Sequence, residues 1–380
     1  MRKQTSQPFA GRSWPRAALI VGLLYLFLVG VKALETGIGL AGEGLTERLF
    51  EGVDHPLAGL CVGILATVLV QSSSVTTATI VGLVGAGSLS VEAAVPMVMG
   101  ANIGTTVTNT LASLGYLRRS AEFTRAFAGA TMHDFFNLCA VAVLLPIEIA
   151  TGFIARWSTE AAVWLRGAGA TGIEKPDSPI KEFIKLPVEG LQNLSEALGG
   201  TNHVTSIVLL VAALVALFTA LTFITRNMRA LLVDRIERSI NQMLGRGGGI
   251  PAMGLGLLIT VAVQSSSITT SVMVPLIAAG VLSLRNAYPI TLGANLGTTV
   301  TALLASLATD LPAGLAIALA HTMFNLMGIL LLYPVPGLRE LPVRMAEALG
   351  RVAVVRKSIV LLYVVGGFIV VPVIGLLLLQ

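Results

Sequence analysis

Two stretches of polar residues occur twice along the chain, in the same order. The run Gln-Ser-Ser-Ser-Val-Thr-Thr begins at Gln71 and returns, with isoleucine for valine, at Gln264. The run Gly-Ala-Asn-Ile-Gly-Thr-Thr-Val-Thr begins at Gly100 and returns, with leucine for isoleucine, at Gly293. Each second motif is followed by a His-x-x-x-Asn pair, beginning at His133 and at His321. This order predicts an internal duplication, so two copies of one structural unit have to pack together.

Apolar stretches of about 20 residues, long enough to cross a bilayer, recur along the whole chain. Hydrophobic residues make up 54% of the 380 positions and charged residues 12%, whereas soluble domains carry about 25% charge. The composition predicts an all-α polytopic membrane protein. Its net charge of +5 is then explained by the lipid bilayer as the partner and not by nucleic acid. Cys61 and Cys139 lie in apolar segments, which favours buried thiols over a disulfide.

Each copy is expected to have the same order of elements: a spanning helix, an uncharged block centred on the Gln-Ser-Ser-Ser motif, and two more spanning helices. The basic N-terminus before the apolar run resembles a signal peptide, but a matching helix opens the second copy, so we expect a retained membrane helix. The expected spans are 17–34, 91–117 and 121–152, then 203–225, 286–309 and 311–334, and a last helix at 357–379 that leaves the C-terminus outside.

The uncharged blocks, 57–88 and 251–283, are too long for one crossing, and their polar centres are unfavourable in contact with lipid. Two half-membrane helices that meet at the polar motif, a re-entrant helical hairpin, resolve both difficulties. The alternative is a single kinked helix in which the serines are small packing residues.

The basic residues predict the orientation of the two copies. Because each copy crosses the membrane three times, the second copy has to be inverted. With the N-terminus in the cytoplasm, 18 of the 25 lysines and arginines fall on the cytoplasmic side, as the positive-inside rule requires. The expected organisation is repeat 1 at 1–154, an extracytoplasmic linker at 155–201, an inverted repeat 2 at 202–334, and a cytoplasmic segment with the terminal membrane helix at 335–380.

The chemistry of the uncharged blocks favours transport over catalysis. Inverted repeats with broken helices are typical of secondary transporters with a site near the membrane midplane. Backbone N–H groups at a helix N-terminus attract anions, and carbonyl groups at a C-terminus attract cations. An anion bound by these blocks has no arginine to neutralise it, so co-bound cations have to supply the charge. The blocks therefore predict cation-coupled uptake of a small oxyanion.

The Gly-Ala-Asn motifs place polar residues on one helical face, which we expect to line the same cavity. Their glycines are also spaced for close contact between membrane helices, and packing alone is the alternative explanation. The polar residues are Asn102, Thr105, Thr106 and Asn109 in the first copy, and Asn295, Thr298 and Thr299 in the second.

Asp134 is the most informative single residue, because an ionisable group at membrane depth costs at least about 2.5 kcal/mol. The equivalent position in the second copy is Thr322. Asp134 therefore predicts a cation site, with pairing to a neighbour as the alternative. His133 and His321 are either hydrogen-bonded structural residues or proton carriers, and Glu148 is expected to cap a helix end or to extend towards the interface.

At these residues the chain resembles the type II sodium-dependent phosphate cotransporters. The likeness rests on the two Gln-Ser-Ser-Ser motifs, the Gly-Ala-Asn motif and the run 128–137, and it covers residues 55–152 and 250–334. It implies co-transport of inorganic phosphate and sodium without a cofactor. It also implies phosphate binding at Gln71, Ser72, Ser73, Ser74, Gln264, Ser265, Ser266 and Ser267. Together with the residues above, the expected sodium ligands are Ser73, Thr76, Asn102, Thr105, Asp134, Ser266, Thr269, Thr270, Asn295 and Thr298.

Electrogenic members of that family carry residues that match Ala128, Ala130 and Asp134, so the resemblance implies electrogenic transport. HPO4 2− with two sodium ions is neutral, and a third sodium ion would balance Asp134. The linker has no cysteine and no regulatory domain is appended, which favours a minimal transporter of the bacterial inner membrane with no obligate protein partner.

Three rival functions remain open at this point. One is an intramembrane serine hydrolase that uses Ser72 or Ser265 with His133 or His321 as base, although two near-identical serine triplets are more than one nucleophile needs. A second is a passive channel. A third is a sodium-coupled transporter of another small oxyanion, such as sulfate, and arsenate should compete with phosphate.

Overall fold

The computed structural model describes residues 13–41, 55–167, 179–243 and 249–379. Within these ranges the chain is helical and contains no β-strand, which confirms the predicted helical class. Five helices there are long and apolar enough to cross a membrane: Ala18–Ala41, Ser120–Thr151, Asn202–Met228, Pro312–Leu332 and Ser358–Leu379.

The helices are numbered in chain order. In the last membrane-length segment, Ser358–Leu379, a π-helical stretch, Leu362–Val370, separates the helices α15 and α16. They are α1 Ser13–Ala41, α2 Pro56–Val70, α3 Ser73–Gly85, α4 Val91–Gly104, α5 Val107–Ser113, α6 Ser120–Thr151, α7 Phe153–Gly167, α8 Pro179–Ala197, α9 Asn202–Met243, α10 Ile250–Val263, α11 Ser266–Ala278, α12 Leu284–Ser306, α13 Pro312–Leu332, α14 Pro336–Val355, α15 Ser358–Leu361 and α16 Val371–Leu379.

Two of the seven predicted spans are absent from the five membrane-length helices, and both carry a Gly-Ala-Asn motif. The span predicted at 91–117 is divided into α4 and α5 by a turn at Thr105 and Thr106. The span predicted at 286–309 is the continuous helix α12, but its asparagines and threonines lower its mean hydropathy. The described parts of the predicted linker form the helices α7 and α8.

Each uncharged block forms two short helices, α2 with α3 and α10 with α11. The helices have 13 to 15 residues, so each is about 20 Å long, shorter than a hydrocarbon core of about 30 Å. The break between them falls at Gln71 and Ser72 in the first copy and at Gln264 and Ser265 in the second. In both blocks the polar motif therefore ends one helix and begins another.

The helices of the two copies interlock. Helix α3 of the first copy packs against α12 and α13 of the second, and α11 of the second packs against α6 of the first. The buried apolar residues accordingly include members of both copies in each of the two largest clusters. This arrangement brings the beginnings of α3 and α11 to the same part of the molecule.

Glycines hold α2 against α4 and α10 against α12. A Cβ atom on Gly63 would overlap the carbonyl oxygen of Met97, and one on Gly100 would overlap that of Leu60. Backbone-to-backbone contact therefore requires glycine at both positions, which confirms the packing role expected for the motif glycines. The second copy repeats the pattern with Gly256 against Ile290 and Gly293 against Met253.

Alanine at Gly100 or Gly293 should therefore destabilise the protein strongly. The added methyl group meets backbone, which cannot rotate away, so the two helices have to separate, at a cost of about 3 kcal/mol. Thermal unfolding in detergent measures the effect. The matched control is Gly22→Ala in α1, where a Cβ has no neighbouring atom within 4 Å. Equal unfolding temperatures for Gly100→Ala and Gly22→Ala would contradict the close contact.

A network of charges fixes the corner between α12 and α13. Lys32 in α1 forms ion pairs with Glu35, at 2.9 Å, and with Asp310. Lys181 in α8 lies 3.3 Å from the other carboxylate oxygen of Asp310, and Arg166 in α7 donates to the Asp310 carbonyl at 2.6 Å. Burial alone would raise the pKa of Asp310, but the hydrogen bonds and charges of Lys32 and Lys181 outweigh it and hold that pKa below its usual value. The corner is thereby tied to α1 and to both helices of the predicted linker.

Candidate functional site

The two Gln-Ser-Ser-Ser motifs line one cavity, although 193 positions separate them in the sequence. The cavity has a volume of about 240 Å³ and contains hydroxyl and carboxamide groups from both copies. All eight residues predicted to bind phosphate belong to its wall. The lining residues are Val70, Gln71, Ser72, Ser73, Ser74, Val75, Phe218, Leu221, Thr222, Thr225, Arg226, Gln264, Ser265, Ser266 and Ser267.

The two glutamines end their helices in the same unusual conformation. Gln71 has φ 56° and Gln264 φ 57°, and they are the only non-glycine residues with positive φ in the described ranges. Bulky residues rarely adopt this left-handed conformation, so other contacts have to hold it. Each Nε2 donates to the carbonyl oxygen three residues earlier, at 2.5 Å in the first copy and 2.7 Å in the second. Each Oε1 accepts from a threonine of the neighbouring helix, Thr108 at 3.1 Å and Thr301 at 2.9 Å.

The serine after each glutamine caps the next helix. Ser72 Oγ accepts from Val75 N at 3.3 Å, and Ser265 Oγ accepts from Ile268 N at 3.4 Å. The remaining N–H groups of the first turn have no partner within their helix. Since the first residues of α3 and α11 line the cavity, two helix N-termini face the same space. That arrangement favours a bound anion.

The remaining serines connect the two copies. Ser74 Oγ donates to the Gln264 carbonyl at 3.4 Å, and Ser267 Oγ donates to the Thr105 carbonyl at 3.4 Å. Thr105 lies at the turn that divides α4 from α5, where carbonyl groups leave the regular helical pattern. Ser266 Oγ is buried without a hydrogen-bond partner among the described residues. The second motif thus has a free hydroxyl available to a bound species.

Helix α9 forms a third wall that the sequence did not predict. Phe218, Thr222, Thr225 and Arg226 lie on one face of α9 and line the cavity. The uncharged blocks themselves contain no arginine, as expected, but α9 adds Arg226 to the wall of the cavity. Arg226 was counted only among the basic residues of the cytoplasmic loops, and the spacing of Thr222 and Thr225 on its helical face was the available signal.

The threonines predicted to bind sodium lie next to the cavity rather than in its wall. Thr269 Oγ1 is 2.8 Å from Thr260 Oγ1, and Thr270 Oγ1 accepts from Asn109 Nδ2 at 2.5 Å. Thr76 and Thr105 donate their hydroxyl hydrogens to carbonyl groups of their own segments. Hydroxyl oxygens of Thr260, Thr269 and Thr270 thus lie close to the second motif, and Ser267 connects this motif to a carbonyl oxygen of the first copy.

Asn102 and Asn295 belong to a separate buried cluster of carboxamides. Asn295 Nδ2 donates to Asn137 Oδ1 at 2.9 Å and to Asn325 Oδ1 at 3.2 Å, and Asn137 Nδ2 donates to the Asn102 carbonyl at 2.9 Å. Neither Asn102 nor Asn295 lines the cavity, and Thr298 donates to the Asn295 carbonyl at 2.6 Å. The cluster joins four helices of the two copies, and every member satisfies part of its neighbour's hydrogen bonding.

Asp134 is fully buried and bonds to a residue that the sequence did not single out. Tyr363 Oη, in the π-helical stretch, donates to Asp134 Oδ2 at 2.7 Å. Asp134 Oδ1 has no partner among the described residues. Asp134 thus pairs with a neighbouring residue through Oδ2 and still has one carboxylate oxygen, Oδ1, without a partner among the described residues. A tyrosine in an otherwise apolar terminal helix was the only sequence signal for this contact.

Neither histidine bonds to a serine of the motifs, and both ring nitrogens of His133 are buried without a hydrogen-bond partner among the described residues. His321 Nε2 lies 3.3 Å from Asn102 Oδ1, and neither His133 nor His321 forms a hydrogen bond with Ser72 or Ser265 in the described structure. A hydrolase would need such a contact. Glu148 accepts from the N–H groups of Ile154, at 2.6 Å, and Ala155, at 3.1 Å, which confirms the expected capping role at the start of α7. Both cysteines are free thiols, as predicted.

Together these features define a helical membrane protein in which two copies of one polar motif share an anion-compatible cavity. The model of the Na+/Pi-cotransporter family matches residues 26–163 and 216–333, more than half of the chain. The chain therefore belongs to the Na+/Pi-cotransporter family, a family of transporters rather than enzymes.

Curated relatives agree with this assignment. The chain is 37% identical over 428 residues to sodium-dependent phosphate transport protein 2A of Rattus norvegicus, an alignment that covers 94% of this chain and 66% of the relative. It is 33% identical over 445 residues to sodium-dependent phosphate transport protein 2B of Homo sapiens, covering 94% of this chain and 64% of the relative. The chain thus spans just under two thirds of the length of these relatives. No solved structure matches it.

Proposed function

We propose that the protein is a sodium-coupled symporter of inorganic phosphate. The observation that carries the proposal is the single cavity between the two Gln-Ser-Ser-Ser motifs, faced by two helix N-termini. A tetrahedral oxyanion needs several donors around one centre, and backbone N–H groups and serine hydroxyls supply them. The family and the names of the relatives support phosphate as the anion and sodium as its co-substrate.

The proposed architecture is a pair of inverted repeats. Helices α2–α3 and α10–α11 act as re-entrant hairpins, which is supported by their short length and by the paired breaks at the glutamines. Repeat 1 occupies 1–154 and the inverted repeat 2 occupies 202–334, with the linker 155–201 between them and the segment 335–380 after them. The protein lies in the bacterial inner membrane with its N-terminus in the cytoplasm.

Phosphate binds to the eight motif residues, and sodium binds beside them. Thr269, Thr270 and Ser266 form one group of sodium ligands around the second motif, supported by the concentration of oxygen atoms there. Ser73, Thr76 and Thr105 are the corresponding ligands on the first motif. Asn102, Asn295 and Thr298 contribute indirectly, because their carboxamide cluster holds the two copies in register.

A further sodium ion binds at Asp134 and makes transport electrogenic. The free oxygen Oδ1 supports this role. HPO4 2− with two sodium ions carries no net charge, and the third sodium ion cancels the charge of Asp134. The loaded carrier is then neutral, and the empty carrier returns with the negative charge of Asp134. One net positive charge therefore enters per cycle, worth about 2.3 kcal/mol per 100 mV.

Coupled binding can be tested on the purified protein by thermal unfolding. A ligand that binds only the folded state raises the unfolding temperature in proportion to the logarithm of its concentration. Phosphate should stabilise the protein in sodium buffer and not in potassium buffer of equal ionic strength, and arsenate should act like phosphate. Stabilisation of equal size in both buffers would contradict sodium coupling, and stabilisation by sulfate alone would point to the other oxyanion.

A further inference from the structure

Among the residues that the structure describes, Arg226 is the one charged side chain in the wall of the cavity shared by the two motifs. Its side chain is exposed and forms no ion pair with any described residue. It lies two positions before the end of the apolar part of α9, Asn202–Met228. The cavity therefore extends from the serines to the edge of the apolar span, and Arg226 lies at that edge.

The position of Arg226 has an electrostatic consequence for an anion that enters the cavity. The other polar side chains described in the wall are neutral hydroxyls and carboxamides, which bind a singly or a doubly charged oxyanion through the same donors. A guanidinium adds a fixed positive charge and a planar set of donors that matches two oxygen atoms of a phosphate. Thr222 and Thr225, on the same helical face, extend this set of donors towards the serines.

We infer that Arg226 is a specificity-determining residue of the cavity, where it binds the doubly charged form of the oxyanion in preference to the singly charged form. The inference rests on the proposed function. It goes beyond that function because it assigns charge selection to α9, outside both repeated motifs. Since its charge is present whether or not substrate is bound, Arg226 changes affinity and leaves the number of charges moved per cycle unaltered.

Phosphate uptake by proteoliposomes tests the inference through Arg226→Gln and Arg226→Lys. The matched control is Arg356→Gln, which removes an exposed arginine outside the cavity. Arg226→Gln should raise the KM for phosphate about tenfold, the size of one charged hydrogen bond at a partly hydrated site. Lysine should restore most of the affinity. The KM for sodium at saturating phosphate should stay unchanged, a separation that a general structural defect would not produce.

The pH profile gives a second readout. The wild-type KM, expressed as total phosphate, should fall as pH rises through the second pKa of phosphate, because the doubly charged form then accumulates. The fall should be shallower in Arg226→Gln. Equal KM values for phosphate in Arg226→Gln and Arg356→Gln, at every pH, would overturn the inference, while uptake by the wild type would still uphold the proposed function. Absence of wild-type uptake would overturn both.

A chemical rescue covers the case in which Arg226→Gln fails to fold. Arg226→Cys, made in a chain with Cys61→Ala and Cys139→Ala, accepts thiol reagents of similar size and different charge. A positively charged methanethiosulfonate should restore the KM for phosphate, and a neutral one should not. Equal effects of the two reagents would show that charge at this position is irrelevant and would overturn the inference.

Discussion

Alanine at Gln71 or Gln264 should reduce sodium-dependent phosphate uptake about a hundredfold, the loss expected when binding groups are displaced by roughly 1 Å. Each carboxamide fastens the end of one half-length helix to its neighbour, through Thr108 in the first copy and Thr301 in the second. Without it, the positive-φ turn that aims the serines into the cavity loses both of its side-chain hydrogen bonds.

Uptake by the single and double variants measures this effect and its additivity. Because both glutamines serve one cavity, the double variant should be little worse than either single variant. The matched control is Gln192→Ala in α8, which removes an exposed carboxamide bonded to Glu196 and should leave uptake unchanged. If each single variant retained half of the uptake and the double variant none, the two motifs would be independent sites.

Asparagine at Asp134 should abolish the dependence of uptake on membrane potential while sodium-dependent uptake continues. Asparagine keeps the shape of the side chain and a partner for Tyr363 Oη, but it removes the charge that the third sodium ion balances. One net charge corresponds to about fiftyfold in accumulation at 100 mV. The effect is therefore large against the scatter of flux measurements.

Tracer uptake at potentials set by potassium and valinomycin measures this dependence directly. Thr322→Val is the matched control, because Thr322 occupies the equivalent position in the second copy and donates only to the Ala318 carbonyl. Its potential dependence should equal that of the wild type. Saturating uptake by the wild type that was insensitive to membrane potential would contradict electrogenic transport. An unchanged dependence on potential in Asp134→Asn would show that a residue other than Asp134 carries the charge in question.

The duplicated motifs predicted most of what positions the site. Exact repetition of Gln-Ser-Ser-Ser requires two equivalent breaks, and Gln71 and Gln264 adopt the same positive-φ turn with equivalent hydrogen bonds. The glycine spacing predicted the close contacts at Gly100 and Gly293. Repetition makes such features predictable, because each copy has to satisfy the same local geometry.

Features outside the repeated pattern were not predictable in the same way. Arg226 lines the cavity and Tyr363 bonds to Asp134 only because α9 and the terminal helix pack where they do, and nothing local in the sequence specifies those positions. Asn102 and Asn295 share a helical face with Thr105 and Thr298, but their hydrogen bonds go to the carboxamide cluster and not to the cavity. The turn at Thr105 divides the first-copy helix while α12 is continuous, although the two motifs are nearly identical. Tertiary packing decides between the two forms.

The most direct test of sodium-coupled phosphate transport is uptake of radiolabelled phosphate into proteoliposomes, with an inward sodium gradient or with potassium or choline in its place. The account predicts saturable accumulation above the external concentration with sodium alone, competition by arsenate, and collapse when the gradient is dissipated. Equilibration without accumulation would indicate a passive channel. No phosphate uptake by a demonstrably folded preparation under any cation gradient would contradict the proposed function.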